Sequence, residues 1–214
     1  MRAARGLFAE PHALEWPTAA CGASAPRPVD CASVRECPLT RSRAAASIRW
    51  RIVSSLSATW SGAGEGEQLW FLGTLAIVRV SGEASDGRFA LIEFLFPRNA
   101  SPPLHTHPQD ESYIVQEGRL TLHAGEQRFE LVAGTAAVVP MGVAHTFRVD
   151  SESARVLVLS TPAGLERLVR DGSVRATRPT LPPSETPRPS PEQLDELFRA
   201  HGQVNVGPPL LPDD

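Results

Sequence analysis

The stretch PPLHTHPQDESYIV, residues 102–115, sets His105 and His107 two apart and Glu111 four further on, just ahead of an apolar run. If this stretch forms β-strand, alternation turns both imidazoles to one face, where they can share a metal ion. The same alternation gives Glu111, Tyr113 and Val115 a common face on the following segment. A third histidine, His145, follows a Pro/Gly turn in GTAAVVPMGVAHTFRV, residues 134–149. Three neutral imidazoles and one carboxylate suit a borderline divalent transition ion, with Fe, Ni and Mn foremost and Zn, Co and Cu compatible. Four protein ligands on an octahedral ion leave two positions for substrate, water or dioxygen.

Such a site needs rigid strands, and the surrounding sequence supplies candidates. LWFLGTLAIVRVSG, RFALIEFLFP, SYIVQEGRLTLHAG, QRFELVAGTAAVVP, HTFRVDS and ARVLVLSTP are short runs enriched in β-branched and aromatic residues. Gly, Pro, Asn, Asp and Ser punctuate them, and no helical period lies between them. SDG at 85–87 and AGEQ at 124–127 read as hairpin turns. The expected class is all-β, a sandwich or barrel spanning 53–162. No internal repeat is evident, which argues against a duplicated barrel.

Beyond Pro162 the pattern changes. AGLERLVRDG (163–172) reads as a short helix stopped by Gly172, and RPTLPPSETPRPS (178–190) as an extended tether. SPEQLDELFRAHG carries every helix mark, with Ser190 as cap, Pro191 in the first turn and Gly202 at the end. Leu194, Leu197 and Phe198 would form its buried stripe. The C-terminal part, 163–214, is thus helical and Pro-rich. Residues 190–210 are read as folding back over a barrel mouth, with GPPL (207–210) as a plug.

Composition excludes several function classes. With 42% hydrophobic residues, 21% charged residues and a net charge of −3, neither nucleic acid nor an anionic membrane is the expected partner. No apolar run approaches the roughly 20 residues of a membrane helix. No short apolar block of a secretory signal opens the chain, so the cytoplasm is the expected location. Residues 1–52 are rich in Ala, Arg, Pro and Ser and read as mostly disordered, with the alternative that translation begins near Val53. Cys21, Cys31 and Cys37 lie in that arm, odd in number and without CxxC spacing, and are expected to be unpaired thiols.

The two histidine segments together resemble the cupin superfamily. Its first motif, G-x5-H-x-H-x3,4-E-x6-G, is met by His105, His107, Glu111 and Gly118. Its second, G-x5-P-x-G-x2-H-x3-N, is met by Gly134, Pro140, Gly142 and His145. Asn99 stands where the first glycine is expected and Val149 where the last asparagine is; neither is a ligand position. The resemblance covers about 70–160 and implies a double-stranded β-helix, a jelly-roll barrel, holding a metal by His105, His107, Glu111 and His145.

Strand parity then nominates pocket residues. Tyr113 is two after Glu111 and Phe147 two after His145, while Phe94 and Phe96 alternate on the preceding strand and Trp70 would close one end. Phe94 and Phe96 are also what plain core packing would place there. His12, His123 and His201 read as solvated or capping residues. The histidine segment, the STPAG ending of the last strand and the C-terminal GPPL resemble small cupins of the quercetin 2,3-dioxygenase-like group. That resemblance implies dioxygenation of an enolic aromatic, with Glu111 as the catalytic base and dioxygen as co-substrate. Resemblance to small cupins also implies a homodimer, the alternative to 190–210 folding back over the barrel. A metal-dependent isomerase, cyclase or dehydratase, or a non-catalytic binding barrel, remains the alternative, because one barrel hosts many chemistries.

Overall fold

The computed structural model describes residues 58–62 and 64–212. The expectations for 1–52 and for the three cysteines lie outside the described residues. The elements in chain order are β1 (Glu67–Phe71), β2 (Thr74–Val80), α1 (Gly82–Ser85), β3 (Ala90–Pro97) and β4 (Leu104–Thr106). Then come β5 (Asp110–Glu117), β6 (Arg119–Ala124), β7 (Gln127–Val132), β8 (Ala136–Val139), β9 (His145–Val149) and β10 (Ser153–Thr161). The chain continues through α2 (Leu165–Asp171), β11 (Ser173–Arg175), α3 (Pro191–Ala200) and β12 (Val204–Gly207).

These strands form two antiparallel sheets, a double-stranded β-helix as expected. One sheet runs β11-β1-β2-β3-β10-β5-β8 and the other β12-β4-β9-β6-β7. The alternation of β5 is the clearest case of sequence dictating face: Glu111, Tyr113 and Val115 are buried, while Ser112 and Ile114 between them are only half-buried. Ile92, Phe94, Phe96 and Val156 from the first sheet meet Leu120, Leu122, Leu131 and Phe147 from the second. Phe96 links the two layers, its ring 5.0 Å from Phe94 in a stack and 5.0 Å from Phe147 edge-on. Each such buried aromatic contributes about 1.5–3 kcal/mol. Val149, where the second motif expects asparagine, is fully buried in this core.

The turns show how the motif positions act. AGEQ makes the β6–β7 hairpin, with Ala124 opposite Gln127. Gly118 has φ 85°, and a Cβ there would lie 2.3 Å from the Ser153 carbonyl oxygen, so only glycine fits. Asn99 adopts φ 63°, the left-handed region that asparagine tolerates better than other non-glycine residues, and so preserves the turn. SDG is not a simple hairpin turn. The Ser81 side chain accepts from the Ala84 amide and caps one turn of helix, α1, which Asp86 ends at φ 57°.

The C-terminal part joins both sheets, β11 pairing with β1 and β12 with β4. Helix α3 has the expected start, a capping box in which Ser190 and Gln193 satisfy each other's backbone amides. Of its apolar stripe, Phe198 is buried and Leu194 and Leu197 are half-buried. Among the described residues no helix is long and apolar enough to cross a membrane.

A charge cluster reinforces the first sheet on the face away from the barrel interior. Glu93 Oε2 accepts from Arg79 Nε at 3.0 Å and Nη2 at 2.5 Å, and its Oε1 accepts from Arg155 Nη1 at 2.6 Å. Burial pushes the Glu93 carboxyl up, but the hydrogen bonds from Arg79 and Arg155 outweigh it, leaving its pKa lowered. A lowered folded-state pKa contributes stability above the ordinary carboxylate value, lost as pH falls through the folded value. Glu93→Gln is therefore expected to cost about 2 kcal/mol at pH 7, where it leaves two guanidinium groups short of their acceptor. Urea unfolding at pH 7 and pH 3 checks this, since the deficit should shrink at pH 3; an equal deficit at both would count against the ion cluster.

Candidate metal centre

His105, His107 and His145 converge where β4 and β9 pair, with His105 directly opposite His145. One ligand nitrogen from each lies within 4.8 Å of the others, close enough for one ion. The ring centroids are 4.4 Å apart for His105–His145, 4.8 Å for His107–His145 and 5.4 Å for His105–His107. Two short contacts bring the second motif onto the first. The Met141 amide donates to Asp110 Oδ1 at 2.7 Å, and the Gly142 amide donates to the His107 carbonyl at 3.0 Å. This clamp sets the turn before β9 and so aims His145 at the other imidazoles. No local signal marks Asp110 in the sequence, because its role appears only when the two segments meet.

Backbone carbonyls select the histidine tautomers. His105 Nδ1 lies 2.7 Å from the Pro103 oxygen, and His145 Nδ1 lies 2.9 Å from the Val143 oxygen. A carbonyl only accepts, so Nδ1 carries the proton in both rings and Nε2 keeps its lone pair. His145 Nε2 and both nitrogens of His107 are buried without a hydrogen-bond partner. Buried polar atoms are rarely left so. A cation accounts for them, so the donor set fits a divalent transition ion.

Glu111 faces this group. Its Oε1 is 3.3 Å from His107 Nε2 and its Oε2 is 3.6 Å from His145 Nε2. The Tyr113 hydroxyl donates to Glu111 Oε2 at 2.5 Å. Burial pushes the Glu111 carboxyl up, yet its contacts with His107 and His145 outweigh that and hold it below the ordinary carboxylate range. Burial first, and then the neighbouring His145, lower His105 to about 4, so its ring is neutral near pH 7. His107 moves upward despite its burial, because Glu111 favours its protonated form. Burial, followed by the Glu111 charge, pushes the Tyr113 hydroxyl far above the usual tyrosine value, so it stays a donor.

A cavity of about 40 Å³ opens beside the imidazoles, lined by His105, His107 and Glu111 together with Gln109, Leu165, Leu168, His201 and Gln203 among others. None of the five aromatics nominated from strand parity lines it. Phe94, Phe96 and Phe147 pack in the barrel core, and Tyr113 sits behind Glu111 with its ring 6.0 Å from Phe147. Trp70 is on β1, where its indole nitrogen donates to the Thr180 carbonyl at 2.8 Å. His201 is the C-cap of α3, as its reading as a capping residue expects, and it does more than that. It lines the cavity and pairs with Asp171 Oδ2 at 2.9 Å. His123 lies on β6 outside the group, its Nε2 buried and unpartnered. GPPL does not plug the mouth: the Pro208 carbonyl accepts from the Leu104 amide, and the Leu210 amide donates to Ser101 Oγ. No local pattern marks Gln109, His201 or Gln203, since folding alone brings the C-terminal segment to the site.

A family match by sequence agrees with this architecture. The cupin domain family matches residues 92–161. An uncharacterized protein of Streptomyces coelicolor is 38% identical over 90 residues, covering 37% of this chain and 84% of that protein. Quercetin 2,3-dioxygenase of Bacillus subtilis is 30% identical over 95 residues, which cover 44% of this chain but only 28% of the dioxygenase. Among solved structures, an RmlC-like cupin from Shewanella frigidimarina aligns with TM-score 0.45 and 17% identity, over 52% of this chain and 96% of that one.

Proposed function

Taking as premise that the chain belongs to the cupin superfamily, we propose that it is a metal-dependent dioxygenase of an enolic or hydroxylated aromatic small molecule. The observation that carries this reading is three buried imidazoles converging beside a buried carboxylate, with Nε2 of His107 and of His145 free of hydrogen bonds and facing that carboxylate. The similarity to part of a quercetin 2,3-dioxygenase favours the aromatic enol as substrate class. His105, His107, His145 and Glu111 would hold the ion, which would supply Lewis acidity and access to redox chemistry.

The protein's own groups supply the rest. Glu111, held ionised, is the base that takes the hydroxyl proton of the substrate. Tyr113 fixes one oxygen of that carboxylate, so the other, Oε1, is the one that faces His107 and receives the proton. The carbonyls of Pro103 and Val143 keep two imidazoles in the tautomer that leaves Nε2 free. Phe94, Phe96 and Phe147 fill the barrel interior with apolar surface, which keeps water out from that side.

The test is elemental analysis of untagged protein, followed by oxygen uptake with a flavonol after reconstitution with Fe, Ni or Mn. Near-stoichiometric metal and metal-dependent uptake are expected. Metal without uptake across a panel of enolic aromatics would overturn the dioxygenase and favour isomerisation, cyclisation or dehydration by the same carboxylate. No metal under any loading condition would leave a binding barrel.

A further inference from the structure

The C-terminal segment crosses the cavity that opens on the imidazoles. Helix α3 ends at Ala200, the chain turns at His201 and Gly202, and β12 adds to the edge of the second sheet, with Asn205 opposite His105. This brings His201 and Gln203 to the cavity wall facing Gln109, Leu165 and Leu168. The partly open space beside the imidazoles is about 40 Å³, whereas pockets for drug-sized ligands run to about 300–1,000 Å³. With His201 and Gln203 in this position, the space beside the imidazoles has room for water or a diatomic molecule and is short of what a bound ring needs.

We propose that residues 190–207 are a displaceable wall of the binding site, which withdraws to admit a hydroxyl-bearing ring compound and presents Gln203 to it on closing. The substrate class rests on the dioxygenase reading above; the movement of the wall does not.

Three observations carry the proposal. First, the wall is lightly anchored. From Pro191 to Gly207 only Phe198 and Gln203 are buried. The His201–Asp171 pair ends on an exposed carboxylate, and exposed pairs hold weakly. The β12–β4 ladder is short and irregular between Asn205 and Gly207. Segments with so few buried contacts open without global unfolding. Second, the wall has a loose entry and an internal turn. No helix or strand lies between Arg175 and Pro191, and Gly202 turns the chain at φ 76° between α3 and β12, so α3 and the turn can swing while the chain stays held beyond Gly207 by Pro208 and Leu210. Third, the wall offers an acceptor. Gln203 Nε2 donates to Asn205 Oδ1 at 3.0 Å, which leaves the amide oxygen to accept from a substrate hydroxyl.

The experiment uses the full chain with Cys21, Cys31 and Cys37 changed to serine. Leu165→Cys places a thiol on the cavity lining, and Val115→Cys places one deep in the barrel as control. The rate of labelling by a fluorescein maleimide is measured for each, with and without Phe198→Ala, which removes the main apolar anchor. Gly202→Ala serves as a milder second variant. The cavity thiol should label roughly tenfold or more faster when the anchor is lost, with the core thiol unchanged. Equal acceleration of both thiols, or of neither, would overturn the wall as a unit that moves alone. These rates need neither metal nor substrate. In a second arm, Gln203→Leu should weaken flavonol binding to zinc-loaded protein about tenfold without changing zinc affinity. Unchanged flavonol affinity would overturn the role of Gln203. Failure of the parent protein to bind flavonol would overturn the substrate class, while the thiol rates would still show whether the wall moves.

Discussion

His145→Ala should abolish metal-dependent stabilisation of this protein while leaving the barrel folded. A ligand that binds the native state only, present at about 100 times its dissociation constant, adds about 2.7 kcal/mol. In a domain of this size that raises the melting temperature by roughly 5–10 °C. His145 is the sharpest choice because its Nδ1 is committed to the Val143 carbonyl and its Nε2 has no hydrogen bond, facing Glu111 Oε2 at 3.6 Å. It also sits at the β4–β9 pair, opposite His105, so its loss removes the imidazole that faces both others. The apo variant loses a buried orphan nitrogen along with some packing, and these changes offset in part. Melting curves with and without Ni or Mn, beside elemental analysis, provide the check. A metal-induced shift equal to that of the parent would remove His145 from the ligand set.

Glu111→Gln should cost about 10²–10⁴-fold in turnover, with a smaller loss of metal because three imidazoles remain. The amide is nearly the same shape but cannot take a proton, so the variant separates base from ligand. Tyr113→Phe asks a finer question. It deletes only the hydroxyl that donates to Glu111 Oε2 and keeps the ring packed near Phe147. Turnover should fall about 10–100-fold, with metal content and KM nearly unchanged. That split marks a positioning residue, since a general packing defect would lower metal content too. If Tyr113→Phe matched the parent in turnover, Glu111 would be held well enough by His107 and His145 alone.

Much of this molecule is legible before folding. The spacing of His105, His107 and Glu111 works through strand alternation, a period of two that depends on no distant contact. The two-motif frame with Gly118, Gly134, Pro140 and Gly142 is likewise local, because each position answers the backbone need of one turn. The ends of α2 and α3 can be read from Ser190, Pro191, Gly172 and Gly202 for the same reason. SDG misleads because a Ser81 cap favours one helical turn where the dipeptide alone suggests a tight hairpin.

What the sequence determined by itself is therefore the main barrel strands, the cupin frame and the four residues that could hold a metal; β11 and β12, in the part read as helical and Pro-rich, were not among them. Only the tertiary structure decided what surrounds them. Parity tells which side of a strand a residue faces but not how far along the barrel it lies, so Phe94, Phe96 and Phe147 became core. Asp110 gained its role only by capturing the Met141 amide from a turn 31 residues away. His201 and Gln203 reached the cavity because β12 found the open edge of β4, across about 100 residues of chain. Such a contact depends on which sheet edge is left unpaired once the barrel has closed, and no local pattern in the chain encodes that.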